Sequence, residues 1–466
     1  MLARKPSTLW SQMKKSTYTY VVVVGAVLLL GYVAKADVLF QNLLGFLDSS
    51  GQIQTFSTVG NFDDSNPFNQ SLGTNGRTCA TCHQQSDGLS VTPAHIQARF
   101  NQTSGTDPIF RTNDGANCPT ADVSTVEARR SAYSLLLNKG LIRIELPVPA
   151  NADFTVVGVD NPYTCSSTTS LSMYRRPLPS TNLKFLTTVM WDGRESFPGQ
   201  DLRFNLSHQA QDATAGHAQG AVPLTQAQID SIVDFELEFF TAQGVDNRAG
   251  RLDGVGGAFG GPQVVYNQQS FLGINDPLGG NPSGVPFDPK IFNIYDQWSS
   301  LTGTSAQTQA KLAIARGQQV FNSISIPITG VAGLNDVVGA PRIMGFCGTC
   351  HDTPNIGNHS VPLPINIGIA DVSRRTPDMP VFTIRNNTTG EVVQTTDPGR
   401  AMVTGKFKDV GKFKGPILRG LASRAPFFHD GSAATLLDVV NFYDNRFNVG
   451  FTQQQKSDLV AFLGSL

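Results

Sequence analysis

The chain has 466 residues and a formal net charge of −1, with only 15% charged residues. This length suits two or three domains with cores of their own. The near-neutral balance gives no argument for a nucleic-acid partner or for an anionic membrane surface. Glycine (45) and proline (27) are plentiful, which predicts long irregular connections between elements.

In chain order, residues 1–36 read as an export segment. Arg4, Lys5, Lys14 and Lys15 precede an apolar run over 20–34, and Ala34-Lys35-Ala36 places small residues where a signal peptidase cuts. The run is about 15 residues, short of the ~20 of a spanning helix. A cleaved signal is therefore expected over an N-terminal membrane anchor, and either one puts the mature body in the periplasm. Cys79-Ala80-Thr81-Cys82-His83 follows, and Cys347-Gly348-Thr349-Cys350-His351 repeats the spacing. C-x-x-C-H is the attachment signature of c-type haem. Two thiols reach the two vinyl groups of one porphyrin, and the adjacent histidine presents a ring nitrogen to the iron. A zinc knuckle would need further Cys or His at short spacing, and the four motif cysteines have none beside them. Two covalently bound haem c groups are expected. The remaining cysteines, Cys118 and Cys165, sit in an exported chain, so a disulfide between them is expected.

Between the motifs, Val156 to Val159 is strand-like. A helix should start after Thr225, with Gln228 as capping-box partner and an apolar face of Ile229, Ile232, Val233, Leu237 and Phe240. Residues 246–304, rich in Gly and Pro, form an ordered connection or a surface arm, and their glycine spacing is not that of a nucleotide loop. Helices are expected over 307–321 and from Thr452, the latter with Leu459, Phe462, Leu463 and Leu466 on one face. Each half thus carries an opening helix, a haem motif, a variable region and a closing helix. The expected fold is mainly α, with two cytochrome c-like haem domains packed together and long irregular loops. The expected boundaries are 37–245 and 306–466 for the haem domains and 246–305 for the connection.

The two motifs flank Trp191-Asp192-Gly193-Arg194, and Leu418-Arg419-Gly420 leads on to Ala425-Pro426-Phe427-Phe428-His429-Asp430-Gly431-Ser432. With these blocks the chain resembles the bacterial di-haem cytochrome c peroxidase family, which includes MauG-like enzymes. The resemblance implies reduction of hydrogen peroxide at the haem of Cys79, Cys82 and His83. The haem of Cys347, Cys350 and His351 would relay oxidising equivalents to an electron donor or a protein substrate. Family members place the second haem's sixth ligand fourteen residues after the Phe-His-Asp-Gly histidine. Here that is Tyr443, where the peroxidases proper have Met, which implies the MauG-like branch. Leu436, Val439, Val440 and Tyr443 share one helical face behind a Thr435–Asp438 cap.

For the first haem, the resemblance places Gln209-Ala210 on the peroxide side. Its catalytic Glu position is occupied by Gln219, which cannot shuttle a proton. His217 is the nearest replacement, because it titrates near neutrality. His217 and His208 also stay open as structural histidines or as ligands. Trp191 would carry electron holes between the haems, Arg194 would face a propionate, and His429 would stand behind the second haem. His359 and His95 are further candidate ligands. The family's calcium site uses carbonyls around Pro426 and an Asn without a clear counterpart here, so calcium is left open. Two alternatives remain on the sequence alone. One is an oxygenase using O2 on an organic substrate, and the other is a non-enzymatic electron-transfer cytochrome.

Overall fold

The computed structural model describes residues 40–60, 62–163 and 165–466; the expected export segment lies outside them. The chain divides into a unit Met1–Gln41 and a unit Asn42–Leu466, and the architecture below is that of the second. Among the described residues, no helix is long and apolar enough to cross a membrane.

Among the described residues the fold is mixed rather than mainly α: 11 helices and several small sheets, about 32% helix and 16% strand. The departure has a local cause at Phe240. The helix after Thr225 forms as Gln226–Leu237, with the Thr225–Gln228 capping box in place. It stops at Glu238, and Phe239–Asp246 is a strand. The β-prone Phe-Phe-Thr run pairs antiparallel with Gly51–Ser57, Phe240 facing Phe56, and that pairing overrides the helical spacing. These two strands are the centre of a four-stranded sheet completed by Phe46–Leu47 and Gly250–Arg251. The strand-like Val156 belongs to Phe154–Asp160, the edge of a three-stranded sheet with Val381–Asn386 and Val392–Thr395. Ile142–Pro147 with Ser170–Arg175, and Ile326–Thr329 with Arg342–Gly345, make two short hairpin-like pairs.

The helix expected over 307–321 forms as Ala306–Ser323, capped by Ser305, and the last helix as Gln453–Leu463, capped by Thr452 and Gln455. They touch at Gly317, where a Cβ would lie 2.0 Å from Asp458 O. Only glycine permits that approach. Arg316 clamps the same Asp458 with two hydrogen bonds of 2.8 Å.

Residues 246–304 are more than a connection or a surface arm. Ile291, Phe292, Ile294, Tyr295 and Trp298 are fully buried against these two helices. Burying each such side chain contributes about 1.5–3 kcal/mol, so this irregular segment is part of the core.

Candidate functional site

Each C-x-x-C-H motif folds as one tight turn of helix. Thr78 and Thr81 cap Cys79–Thr81 reciprocally, and Thr349 closes Cys347–Thr349 through the Phe346 N–H at 2.9 Å. The turn brings both cysteines and the histidine to one cavity. His83 Nδ1 is 2.9 Å from Leu89 O, and His351 Nδ1 is 2.6 Å from Gly357 O. With Nδ1 donating to a carbonyl, Nε2 is the nitrogen left as a donor to metal. Burial holds both imidazoles neutral, with pKa values lowered to about 4, the form that binds iron.

The first cavity is lined by Cys79, Cys82 and His83, and across it by the helix Leu202–Gly216. Asp201 caps that helix by accepting from Phe204 N at 2.8 Å. Gln209 and Ala213 face the cavity one turn apart, with His217 a further turn on at the helix end. His217 Nδ1 is 2.5 Å from Asp114 Oδ2, and Arg77 binds the other oxygen of Asp114. Burial opposes the Asp114 charge, yet His217 and Arg77 hold its pKa below the usual carboxylate range. An ionised Asp114 accepts the Nδ1 proton and leaves His217 Nε2 as a base. Sequence reading missed Asp114, 103 residues from its partner.

Glu236 was missed as well. It lines the first cavity from the helix Gln226–Leu237, and its Oε2 has no hydrogen-bond partner. Burial raises its pKa to about 7. A carboxyl raised in the folded state stabilises below its unfolded pKa of about 4.5 and loses that contribution as pH climbs towards 7. Glu236→Gln should therefore gain stability over the native protein, by up to about 3 kcal/mol, across that window. Denaturant midpoints of the two proteins at pH 4.5 and 7.5 check this; a gap that does not widen with pH refutes it.

The second cavity holds Cys347, Cys350 and His351, and the helix Leu436–Phe447 faces them. Its cap is the Thr435–Asp438 box. Leu436, Val439, Val440 and Tyr443 all line the cavity, as the helical spacing requires. Burial raises the Tyr443 phenol, with smaller contributions from Cys350 and Cys347. His359 lines the same cavity, its Nδ1 3.1 Å from Asp352 Oδ2.

Trp191 lines the second cavity and Met190 the first. The Trp191 indole donates to Arg176 O at 2.8 Å and meets His429 edge to face at 6.3 Å. The turn holding it needs Gly193, at φ 71°, where a side chain would strike Arg400. Asp192 is fully buried and paired with Arg175, whose Nε also binds Asp397 at 2.7 Å.

Several expectations change. Gln219 is exposed and lines neither cavity, because the helix ends before it and the backbone turns left-handed at φ 55°. Arg194 lines neither cavity and pairs with Asp192 at 3.2 Å, the buried carboxylate beside it being the nearer anion. His429 is not among these changes: it is buried behind the wall of the second cavity, stacked on Phe413 at 4.4 Å, with no hydrogen bond at either nitrogen. Cys118 and Cys165 are free thiols, although they are neighbours that perturb each other: burial and Cys118 raise Cys165 to about 12. His208 and His95 are taken by Glu195 and Asp87, at 2.7 and 2.6 Å, and line neither cavity.

These residues fit haem c. Among the described residues, the convergence of three His, Cys, Asp or Glu ligands occurs at Glu195, His208 and Asp212, so the motif cysteines do not form a zinc cage. Burial raises Cys347 and Cys350 to about 12, which disfavours their thiolate form. Both cavities also carry cations at their walls, Arg77 in the first, Arg176 in the second, and Lys414 and Arg424 in both. Such groups would meet the carboxylates of a porphyrin.

No family model matches the chain. It is 38% identical over 81 residues to the cytochrome-c peroxidase IdrP1 of Denitromonas iodatirespirans, over 15% of this chain and 22% of that protein. To IdrP2 of the same organism it is 30% identical over 137 residues, 26% of this chain and 36% of that protein. To the cytochrome c551 peroxidase of Nitrosomonas europaea it is 41% identical over 76 residues, 16% and 23% of the respective chains. The matches thus span between about a fifth and a third of those relatives' lengths. Among solved structures, a MauG-like protein associated with microbial copper homeostasis aligns over 93% of this chain and 94% of that chain, at 16% identity and a TM-score of 0.38.

Proposed function

We propose that this chain, a relative of the di-haem cytochrome c peroxidases, is itself an exported, periplasmic peroxidase carrying two haem c groups. Residues 37–245 and 306–466 would be the two haem domains. Cys79, Cys82 and His83 would hold one haem and Cys347, Cys350 and His351 the other, each supplying an iron centre for electron exchange. The observation that carries the reading is the inequality of the two cavities. The first pairs its motif with Gln209 and a carboxylate-oriented His217. The second pairs its motif with Tyr443 on an otherwise apolar helix face.

Reducing hydrogen peroxide to water consumes electrons and protons, and the protons are where the protein's own residues act. His217 Nε2 would take a proton from the incoming peroxide and return it to the departing oxygen, work that general acid–base catalysis rewards by 10²–10⁴-fold. Asp114 holds the imidazole in the required tautomer, and Gln209 offers an amide to the bound peroxide. Tyr443 would bind the second iron as a hard anionic ligand, a reading that favours the MauG-like branch. Trp191, between the Met190 wall and the second cavity, would pass oxidising equivalents onward to an electron donor or protein substrate.

Stoichiometric peroxide added to the purified ferric protein tests this, with the spectrum of each haem followed. Reaction at one haem and oxidation shared with the other is expected. Inertness to peroxide would leave an electron-transfer cytochrome. Tyr443→Phe should change the optical and EPR signals of the second haem alone. Unchanged spectra would exclude tyrosine ligation.

A further inference from the structure

The two cavities share a wall. Pro177 to Pro179 forms one side, and Lys414, Pro416, Ile417 and Arg424, whose guanidinium is taken by the carbonyls of Gly420, Ile417 and Arg419, form the other. Lys414 stands out in it. The side chain is on a residue only 8% exposed, and its Nζ donates to Thr188 O at 2.9 Å. Its N–H donates to Trp191 O at 2.9 Å, so the ammonium is clasped to the turn running from Thr188 to Trp191. Among the described residues no carboxylate pairs with it. A buried ammonium with a single neutral acceptor costs several kcal/mol unless an anion arrives. Burial lowers its pKa to about 7.

We propose that Lys414 is a shared counter-charge for the propionate carboxylates of both haems, and so moves their two potentials together. The inference rests on the reading that each cavity holds a haem c. An ammonium near two irons favours the reduced state of each, because reduction removes one positive charge from the metal. A low-dielectric wall leaves that field little screened. Arg176 is the natural comparison, since it lines the second cavity alone.

The experiment is spectroelectrochemical titration of the holoprotein, with haem content measured beforehand. Two haems per native chain establish the underlying reading independently of what any variant does. In Lys414→Gln or Lys414→Met, both midpoint potentials should fall, and Lys414→Arg should restore both. Arg176→Gln should lower the second haem's potential and leave the first in place. Should the neutral variants fail to retain haem, the proposal expects both haems to be lost and both regained with Lys414→Arg. A shift or loss confined to one haem, or potentials that do not move, overturns it.

Discussion

Replacing His217 by glutamine should slow the reaction of the ferric protein with peroxide by about 10²–10⁴-fold while leaving both haems attached. The expectation follows from a chain of contacts. Arg77 and His217 hold Asp114 ionised against its own burial, and the carboxylate fixes the Nδ1 proton of His217 at 2.5 Å. Nε2 is then the free base of the cavity that contains His83. Asp114→Asn keeps the shape but lets the imidazole choose the other tautomer, so its loss should fall in the same range. Combined with His217→Gln it should add no further loss, because the two residues act as a unit. Stopped-flow mixing with peroxide reads the rate directly. Faster peroxide reaction in His217→Gln would mean that His217 had been occupying the iron, and the proton-transfer role would be wrong.

The second large effect is on stability. Arg175→Leu should cost about 3–5 kcal/mol, because it leaves buried Asp397 without its cation and buried Asp192 with Arg194 alone. Arg175 is the hub of Asp192 and Asp397, and it joins the strand Ser170–Arg175 to the Trp191 turn and to the loop of Asp397. Despite burial, Arg175 and then Arg194 hold the Asp192 pKa at about 2. A depressed carboxylate stabilises above its unfolded pKa, near 3.8, and loses that contribution as pH falls through 2. The native protein should therefore keep this contribution down to about pH 4, and the loss in Arg175→Leu should shrink in stronger acid. Denaturant unfolding at pH 7 and pH 3 measures both. A variant as stable as the native chain would show the ion triad to be dispensable.

What the sequence determined by itself was whatever depends on short spacing. The two C-x-x-C-H turns, the Thr435–Asp438 cap and the lining face from Leu436 to Tyr443 are set by neighbours within one helical turn or two, and local geometry follows from local identity. The helices capped by Thr225, Ser305 and Thr452 belong to the same class. Tertiary structure alone decided the rest. Phe240 became a strand residue because Gly51–Ser57, nearly two hundred residues earlier, offered it backbone partners. Arg194 turned to Asp192 because Arg175 had already drawn that carboxylate inside. Gln219, to which the resemblance alone assigned the acid's position, fell outside the cavity when the helix ended, and His217 met Asp114 instead. Burial and charge pairing depend on which distant segments meet, and the haem motifs, legible at once, say nothing of what lies across the cavity from them.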